Sequence, residues 1–411
     1  MLRRSSRLSR RQDRISEIPD EVLTHILSFL TTRSAIGTSL LAKRFRGVWL
    51  NVESIVVMGE YVSDHISDHR LKRFIDHVME KREEAAPGEF HPIKSFCFEV
   101  KYFARDMALG LSHLASWLTI SIKKNLQNLR LHMKSISCYN VIYPMLPMAV
   151  SGCKGLVDLE LVHFSLVGFS FDGIEFSLLQ NLVLKLVLFD SKSFLAFLAK
   201  CKAVKKLKLI GIDLSFEKDK SFEKDSTEDF SIDPLPKLNS AVFSECSLHN
   251  FPFQLLALSE SLHFSCEDFN PYKLIEDGSA MAFLQIPTFE RLKSLNFKGT
   301  RDSVLQILSC SPNLQILIFT QDSFATEWNG EDDGNFVKPD NIPKCMSSIT
   351  NCIVQSIITT RDMSLLNYLL GNAVNLRTLD IGIEKGKSKS ISEKDLSDTW
   401  KASRICEVTF S

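Results

Sequence analysis

The stretch that comes closest to a catalytic or nucleotide-binding motif is GIEKGKS at residues 382–388. A phosphate-binding P-loop needs four residues between its glycines, so that enough backbone N–H groups surround the phosphates. Here three residues separate the two glycines, and Ile381 stands where the first glycine of a full motif would fall. Because such a shortened loop would hold phosphate poorly, we interpret the stretch as a basic turn at the edge of a repeat.

The other residues that could do chemistry also fall short of a known site. His65 and His69 have the spacing of metal ligands on a helix, but no third strong ligand stands beside them. The acidic cluster within 322–334 lacks the alternating ligand spacing of a calcium loop, and 168–172 lacks the closing glycine of a hydrolase nucleophile turn. The ten cysteines include no C-x-x-C pair. We therefore predict that the protein is not an enzyme and holds no cofactor and no metal.

Composition limits the partners and the compartment. The 411 residues are 45% hydrophobic and 24% charged, with a formal net charge of zero, which argues against nucleic acid or an anionic membrane as a partner. The cysteines are dispersed, no N-x-S/T sequon occurs, and no apolar run has membrane-spanning length. We expect an intracellular protein of the nucleus, the cytoplasm or both. Arginines crowd residues 1–14, as a nuclear-import patch or nucleic-acid arm would require, but the composition favours a basic disordered tail over residues 1–12.

A helical pattern begins at Asp13. Pro19 suits the start of a helix, and Asp20 and Glu21 place negative charge in its first turn. The apolar positions then recur at helical spacing: Val22, Leu23, Ile26, Leu27 and Leu30. Two further helices are predicted over Ser34–Ser39 and Lys43–Trp49. So small a bundle cannot bury all of these side chains, so either the rest of the chain or a partner covers them, and the pattern alone leaves both open.

Most of the remaining chain repeats the pattern L-x-x-L-x-L. Eight copies begin at Leu126, Leu156, Leu179, Val204, Leu238, Leu292, Leu314 and Leu376. A degenerate copy surrounds Leu262 and Phe264. The second half of each copy predicts a short strand, and SFLAFLAKC before Val204 predicts a return helix. Each unit has an apolar side that only stacking on its neighbours can bury, whereas an ordinary α/β domain with leucine-rich strands would not keep one frame eight times.

The N-terminal pattern DRISEIPDEVLTHILSFL, followed by TSLLAKRFRGVW, resembles the F-box of plant F-box/FBD/LRR-repeat proteins. The sequence departs from that family at Thr31-Thr32, where a proline is usual, and at Phe45. Towards the C-terminus, Trp328, Val337, Pro343, Cys345, Met346 and LLNYLLGNAVNLRTLDI resemble the FBD region of the same family. The resemblance implies an α/β fold: a small three-helix F-box, then a ribonuclease-inhibitor-like leucine-rich-repeat solenoid with a C-terminal FBD extension. The implied boundaries are 13–55 for the F-box, 56–327 for the repeats and 328–411 for the FBD region.

The resemblance also implies a function. Members of the family are non-catalytic, substrate-recognition subunits of SCF-type ubiquitin ligases, and their F-box binds a Skp-type adaptor and through it a cullin. The residues expected to carry that contact are Ile18, Pro19, Val22, Leu23, Ile26, Leu27, Leu30, Phe45 and Trp49. The repeats would bind a protein target whose identity no motif encodes. The alternative is a repeat scaffold that is not coupled to ubiquitination. A small-molecule co-receptor would need clustered basic residues, whereas the outward strand positions are mixed: Arg130, Glu160, Lys185, Lys208 and Asp380.

Overall fold

The computed structural model describes residues 15, 17–84, 92–102, 107–135, 143–212, 233–245, 252–265, 286–299, 301–321, 341–357, 362–383 and 402–410. Within them the chain forms two compact units, residues 1–155 and residues 156–411. Three predictions fall outside these ranges. They are the N-terminal tail, the acidic cluster within 322–334 with Trp328 and Val337 of the FBD resemblance, and the part of the basic turn that follows Ile383.

The first unit contains four α-helices and three strands among its described residues. In chain order they are α1 Asp20–Leu27, α2 Thr32–Gly37, β1 Ser54–Val62, α3 His65–Glu84, β2 Ser95–Tyr102, α4 Met107–Lys123 and β3 Asn128–Ser135. Strands β1, β2 and β3 pair side by side and all run parallel. One face of α3 belongs to the core of this unit, since Leu71, Ile75, Val78 and Met79 are buried.

The N-terminal helices differ in detail from the prediction. Helix α2 begins at Thr32 rather than Ser34, because the Thr31 side chain accepts a hydrogen bond from the Ser34 N–H and caps the helix. The third predicted helix is present as two 3₁₀ turns, Lys43–Arg46 and Val48–Asn51, separated by Gly47. Glycine in a helix interior costs conformational entropy, which is consistent with the break at this position.

The second unit is a parallel sheet with helical or irregular returns. Its strands are β4 Asp158–Val162, β5 Asn181–Lys185, β6 Lys206–Ile210, β7 Ser240–Ser244, β8 Ser261–Ser265, β9 Ser294–Gly299, β10 Ile316–Gln321, β11 Asn351–Ile357, β12 Thr378–Ile383 and β13 Glu407–Phe410. Each strand pairs in parallel with the next along the chain. The α-helices of this unit are α5 Ser191–Ala199, α6 Arg301–Ser309 and α7 Asp362–Asn372. This arrangement confirms the predicted repeat fold and its continuation into the C-terminal region.

The repeat residues form the core of this sheet. In β5, for example, Leu182 and Leu184 are buried, while Asn181, Val183 and Lys185 point to the opposite face. From β7 to β10 the inner position holds stacked phenylalanines: Phe243, Phe264, Phe297 and Phe319. The returns are α-helical only in part, and elsewhere use 3₁₀ turns such as Phe253–Leu256. The return helix predicted before Val204 is confirmed as α5.

Candidate functional site

Helix α1 begins where the sequence predicts a helix start. Pro19 stands one place earlier than predicted, at the N-cap, with an extended ψ of 150°. Its carbonyl oxygen accepts hydrogen bonds from the N–H groups of Val22 and Leu23, at 3.1 and 3.0 Å. Asp20 and Glu21 lie in the first turn, where the partial positive charge of the helix dipole favours carboxylates. The helix ends at Ser28, whose hydroxyl donates to the His25 carbonyl.

Two faces of α1 have opposite environments. Leu23 and Leu27 point inward and are buried. On the other face Val22 and Ile26 are 47% and 46% exposed, one turn apart, and Phe29 beyond the helix is 76% exposed. The ring of Phe29 meets the edge of His25 with centroids 4.9 Å apart, its only ring contact among the described residues. Helix α1 therefore presents an apolar stripe to solvent.

A second apolar patch follows α2. Leu40 and Leu41, at the end of the 3₁₀ turn Thr38–Leu40, are 90% and 76% exposed. Exposed leucines side by side give a short segment that water solvates poorly. We call the two patches together the N-terminal apolar surface. It consists of Val22, Ile26, Phe29, Leu30, Leu40 and Leu41.

The structure divides the nine residues predicted to bind an adaptor into two groups. Pro19, Val22, Ile26 and Leu30 are exposed, and Ile18 is half-buried. The other four are buried within the chain: Leu23, Leu27, Phe45 and Trp49. Side chains so enclosed can shape a binding surface, but a partner cannot touch them directly without opening the fold. Adaptor contact remains a prediction for the exposed group, and the buried group is better explained as its supporting core.

Three residues of this surface lie outside the periodic stripe predicted from the sequence. Phe29 directly precedes the predicted Leu30, and its place after the last helical turn removed it from the periodic stripe. Leu40 and Leu41 lie in a 3₁₀ turn, where no 3.6-residue period applies. The sequence feature that could have identified Leu40 and Leu41 is the pair itself: two large apolar residues lie side by side in a segment that has no means of burying them.

Hydrogen bonds and ion pairs hold this region in place. Thr32 is buried, and its Oγ1 accepts the Val56 N–H at 2.8 Å. Arg33 forms an ion pair with Glu60 at 2.9 Å, and its guanidinium lies 4.7 Å from the ring centroid of Phe74. Both contacts tie α2 to β1 and α3.

The outward face of the second unit's sheet is the other candidate binding surface. Its positions alternate with the buried repeat residues, and strand register aligns them in rows across the sheet. One row runs through Glu160, Val183 and Lys208. Another pair, Ile353 and Asp380, is aligned on β11 and β12. The mixed outward residues named from the sequence thus share one face within this unit, and Arg130 lies on β3 of the first unit.

The described residues provide little for catalysis. His65 and His69 lie on α3 as predicted, and no group of three or more potential metal ligands occurs within the described ranges. Burial raises the pKa of the Cys345 thiol and that of the Cys352 thiol to about 12 each, so both stay protonated and poorly nucleophilic. In the part of the chain that is described, no helix is both long and apolar enough to cross a membrane.

Comparison with known proteins agrees with this geometry. Residues 15–56 match the F-box domain model, and residues 114–219 match the model described as the LRR repeats of the FBD-associated F-box protein At5g56370. The chain therefore carries an F-box followed by leucine-rich repeats.

Relatives extend the similarity over almost the whole chain. An Arabidopsis thaliana F-box/FBD/LRR-repeat protein, At5g44980, is 25% identical over 97% of this chain and 99% of its own length. The A. thaliana FBD-associated F-box protein At4g10400 is also 25% identical, over 97% of this chain and all of its own length. Among solved structures, the Leptospira interrogans LRR protein LIC12759 aligns with 89% of this chain and 92% of its own, at 12% identity and a TM-score of 0.32. The two relatives and the family models confirm the predicted resemblance to plant F-box/FBD/LRR-repeat proteins.

Proposed function

We propose that this protein is the substrate-recognition subunit of an SCF-type ubiquitin ligase. Its F-box binds a Skp-type adaptor, and through it a cullin, while its repeats bind a target protein. The chain performs no step of ubiquitin transfer in this proposal. Its contribution is proximity, because it holds lysines of the target close to the catalytic subunits.

The observation that carries the proposal is the N-terminal apolar surface within a matched F-box. Fully burying one Val, Leu, Ile or Phe side chain is worth roughly 1.5–3 kcal/mol, so six such residues are a costly set to leave in water. Exposed patches of this kind mark interaction sites in soluble proteins. The stripe on α1 lies on a helix whose opposite face is anchored by Leu23 and Leu27. A partner therefore meets a preformed surface, which lowers the entropy cost of binding.

A paired substitution on α1 tests the adaptor contact. In the variant Val22→Asp/Ile26→Asp, both side chains already face water, so the fold should be retained. Two carboxylates pressed against an apolar partner would remain unpaired and desolvated, which costs several kcal/mol. We expect affinity for a purified Skp-type adaptor to fall by about 100-fold or more. Isothermal titration measures it, and circular dichroism checks the fold.

Ile66 offers a matched control. It lies in the first turn of α3, outside the F-box match, and is 63% exposed. Ile66→Asp introduces the same group at a similar exposure, and we expect adaptor affinity to stay within about twofold of the wild type. Binding of the doubly substituted protein at the wild-type level would remove the basis for the assignment.

Coupling to ubiquitination needs a second experiment. The Val22→Asp/Ile26→Asp variant keeps its repeats, so in cells it should retain its targets without delivering them to the ligase. We expect proteins co-purified with this variant to accumulate, and proteasome inhibition to raise the same proteins in wild-type cells. Partners whose abundance responds to neither treatment would indicate a scaffold outside the ubiquitin system.

A further inference from the structure

Charge is segregated by sign on the outward face of the second unit's sheet. From β5 to β11 the outward positions of these described strands carry no Asp or Glu. They carry four lysines instead: Lys185, Lys206, Lys208 and Lys298. Carboxylates appear only on the flanking strands, at Asp158 and Glu160 of β4 and at Asp380 and Glu407 of β12 and β13. A chain of zero net charge thus presents a one-signed field over this part of the sheet. We call the outward positions of β5–β9 the basic sheet face.

Three of the lysines lie together on adjacent strands. Lys208 aligns with Val183, and Lys185 aligns with Ile210, so Lys185 and Lys208 are diagonal neighbours across β5 and β6. Lys206 lies two residues before Lys208 on the same face, and all three are exposed. None of the three forms an ion pair with another described residue. Their ammonium groups are therefore available to a ligand.

The histidine on this face responds to the positive field. His263 lies on β8 in the same row as Lys208, with Val242 between them. Burial lowers the pKa of His263, and the charge of Lys208 lowers it further. The imidazole is thereby held neutral, and Lys185, Lys206 and Lys208 remain the charged groups that a partner meets.

The spacing of the face suits an extended chain. Lys185 and Lys298 lie in one register row, joined through Ile210, Ser244 and Ser265. Four strand spacings of about 4.8 Å separate them, or roughly 19 Å. An extended peptide advances about 3.3 Å per residue, so roughly six residues cover that distance. Serines line most of the gap and can hydrogen-bond to a peptide backbone.

We propose that the basic sheet face binds an acidic, extended segment of the target protein. The proposal rests on the proposed function in assigning target binding to the repeats, and it specifies the chemistry that this site selects. Apolar side chains interrupt the lysines, at Val183, Ile210 and Val242. A duplex nucleic acid carries about one charge per 1.7 Å and would leave most phosphates unmatched here. A peptide of alternating acidic and apolar residues matches both the lysines and the apolar side chains between them.

Direct binding tests the charge requirement. The probe is a fluorescent decapeptide of alternating Glu and Val, compared with the same peptide carrying Gln in place of Glu, on the full-length protein. We expect the glutamate peptide to bind at least about tenfold more tightly, and its affinity to fall with added NaCl because exposed charges are screened. Equal affinity for the two peptides overturns the proposal. So does tighter binding of a single-stranded oligonucleotide, which would assign the face to nucleic acid.

Charge reversal locates the site. In Lys206→Glu/Lys208→Glu we expect the affinity for the glutamate peptide to fall at least tenfold. The affinity for a decapeptide of alternating Lys and Val should rise, and a misfolded protein would not show this gain. The matched control is Lys202→Glu/Lys237→Glu, with the same charge change at exposed turn positions outside the strands. If the control and test variants lose affinity for the glutamate peptide equally, the site is not on the basic sheet face.

One competitor lies within the chain itself. The sequence between β6 and β7 contains six acidic residues between Glu217 and Asp229. The test is a variant with those six residues changed to Gln or Asn. If this variant binds the glutamate peptide and the wild type does not, the chain's own acidic segment occupies the basic sheet face, and the proposal is overturned. Adaptor binding serves as an independent readout throughout. Since Lys206→Glu/Lys208→Glu leaves the F-box unchanged, loss of peptide binding with adaptor affinity retained separates this inference from the proposed function.

Discussion

The guanidinium of Arg44 holds the carboxylate of Asp20, with Nη2 2.9 Å and Nε 3.3 Å from Oδ1. The same guanidinium donates a hydrogen bond to the Ile18 carbonyl oxygen. Arg44 lies on the 3₁₀ turn Lys43–Arg46, so it connects this turn to the start of α1. The connection fixes the chain on both sides of Pro19, the residue from which the exposed stripe of α1 begins.

Removing this contact should affect binding more than stability. Both side chains are well exposed, and exposed ion pairs contribute about 0.2–1 kcal/mol. We expect Arg44→Met to lower the free energy of unfolding by less than about 1 kcal/mol and to weaken adaptor binding by roughly three- to tenfold. Urea unfolding and isothermal titration measure the two quantities. Asp20→Asn and the double variant complete a cycle, and additive losses of affinity would show that the pair does not act as a unit.

Neighbouring residues on α1 should behave in opposite ways. Leu23 is buried, so Leu23→Ala leaves a cavity and should cost about 2–5 kcal/mol of unfolding free energy. Val22 is nearly half exposed, so Val22→Ala should change stability by less than about 1 kcal/mol while reducing adaptor affinity. Chemical unfolding of both variants separates the roles. Similar stability losses would show that the two faces are not distinguished as the structure indicates.

The repeats were largely predictable because one physical requirement recurs in each. A strand that buries alternate side chains needs apolar residues at fixed offsets, and leucine marks most of them. Strands β2, β11 and β13 were missed, the first two because residues other than leucine fill the buried places. In β2 the buried positions include Phe96 and Phe98, and in β11 they include Cys352 and Val354. The alternation of buried and outward positions is kept in these strands, but the leucines by which the other repeats were recognised are absent from the buried positions.

The site was less predictable than the fold. A helical stripe identifies which residues lie on one face, but Val22 and Leu23 are adjacent in sequence and equally apolar. Which of them points inward depends on what packs against α1, and the buried Trp49 comes from a turn more than twenty residues later. The segregation of charge by sign on the sheet of the second unit was hidden for the same reason. Lys208 and Glu160 look mixed along the chain, and strand register places them in one row two strands apart, with Glu160 on the flanking strand β4.

Thr32 should be less replaceable than its exposed neighbours. Its Oγ1 accepts the Val56 N–H at the start of β1, and Thr32→Val keeps the shape while removing that acceptor. An N–H left without a partner costs about 1–3 kcal/mol when it is fully buried, and because this hydrogen bond is part-buried we expect a loss of about 1 kcal/mol in urea unfolding. Thr32→Ser keeps the hydroxyl and should lose clearly less. Equal losses would mean that the γ-methyl group, not the hydrogen bond, provides the stabilisation.

Asp76 should give the first unit a measurable pH dependence. Burial raises the pKa of its carboxyl, but hydrogen bonds from Lys72 at 2.5 Å and Trp117 at 2.8 Å, with the Lys72 charge, outweigh it and hold the pKa below its ordinary 3.8. The ionised carboxylate therefore stabilises the folded state above pH 3.8, and this contribution disappears as the pH falls through the lower folded pKa. Asp76→Asn removes the charge at every pH. We expect this substitution to lower the unfolding free energy by about 1 kcal/mol at neutral pH, because an ion pair at the surface is weak. The difference from the wild type should shrink steadily below about pH 4. Urea unfolding over a pH series measures this, and a difference that stays constant into strong acid would show that Asp76 is not ionised in the folded protein.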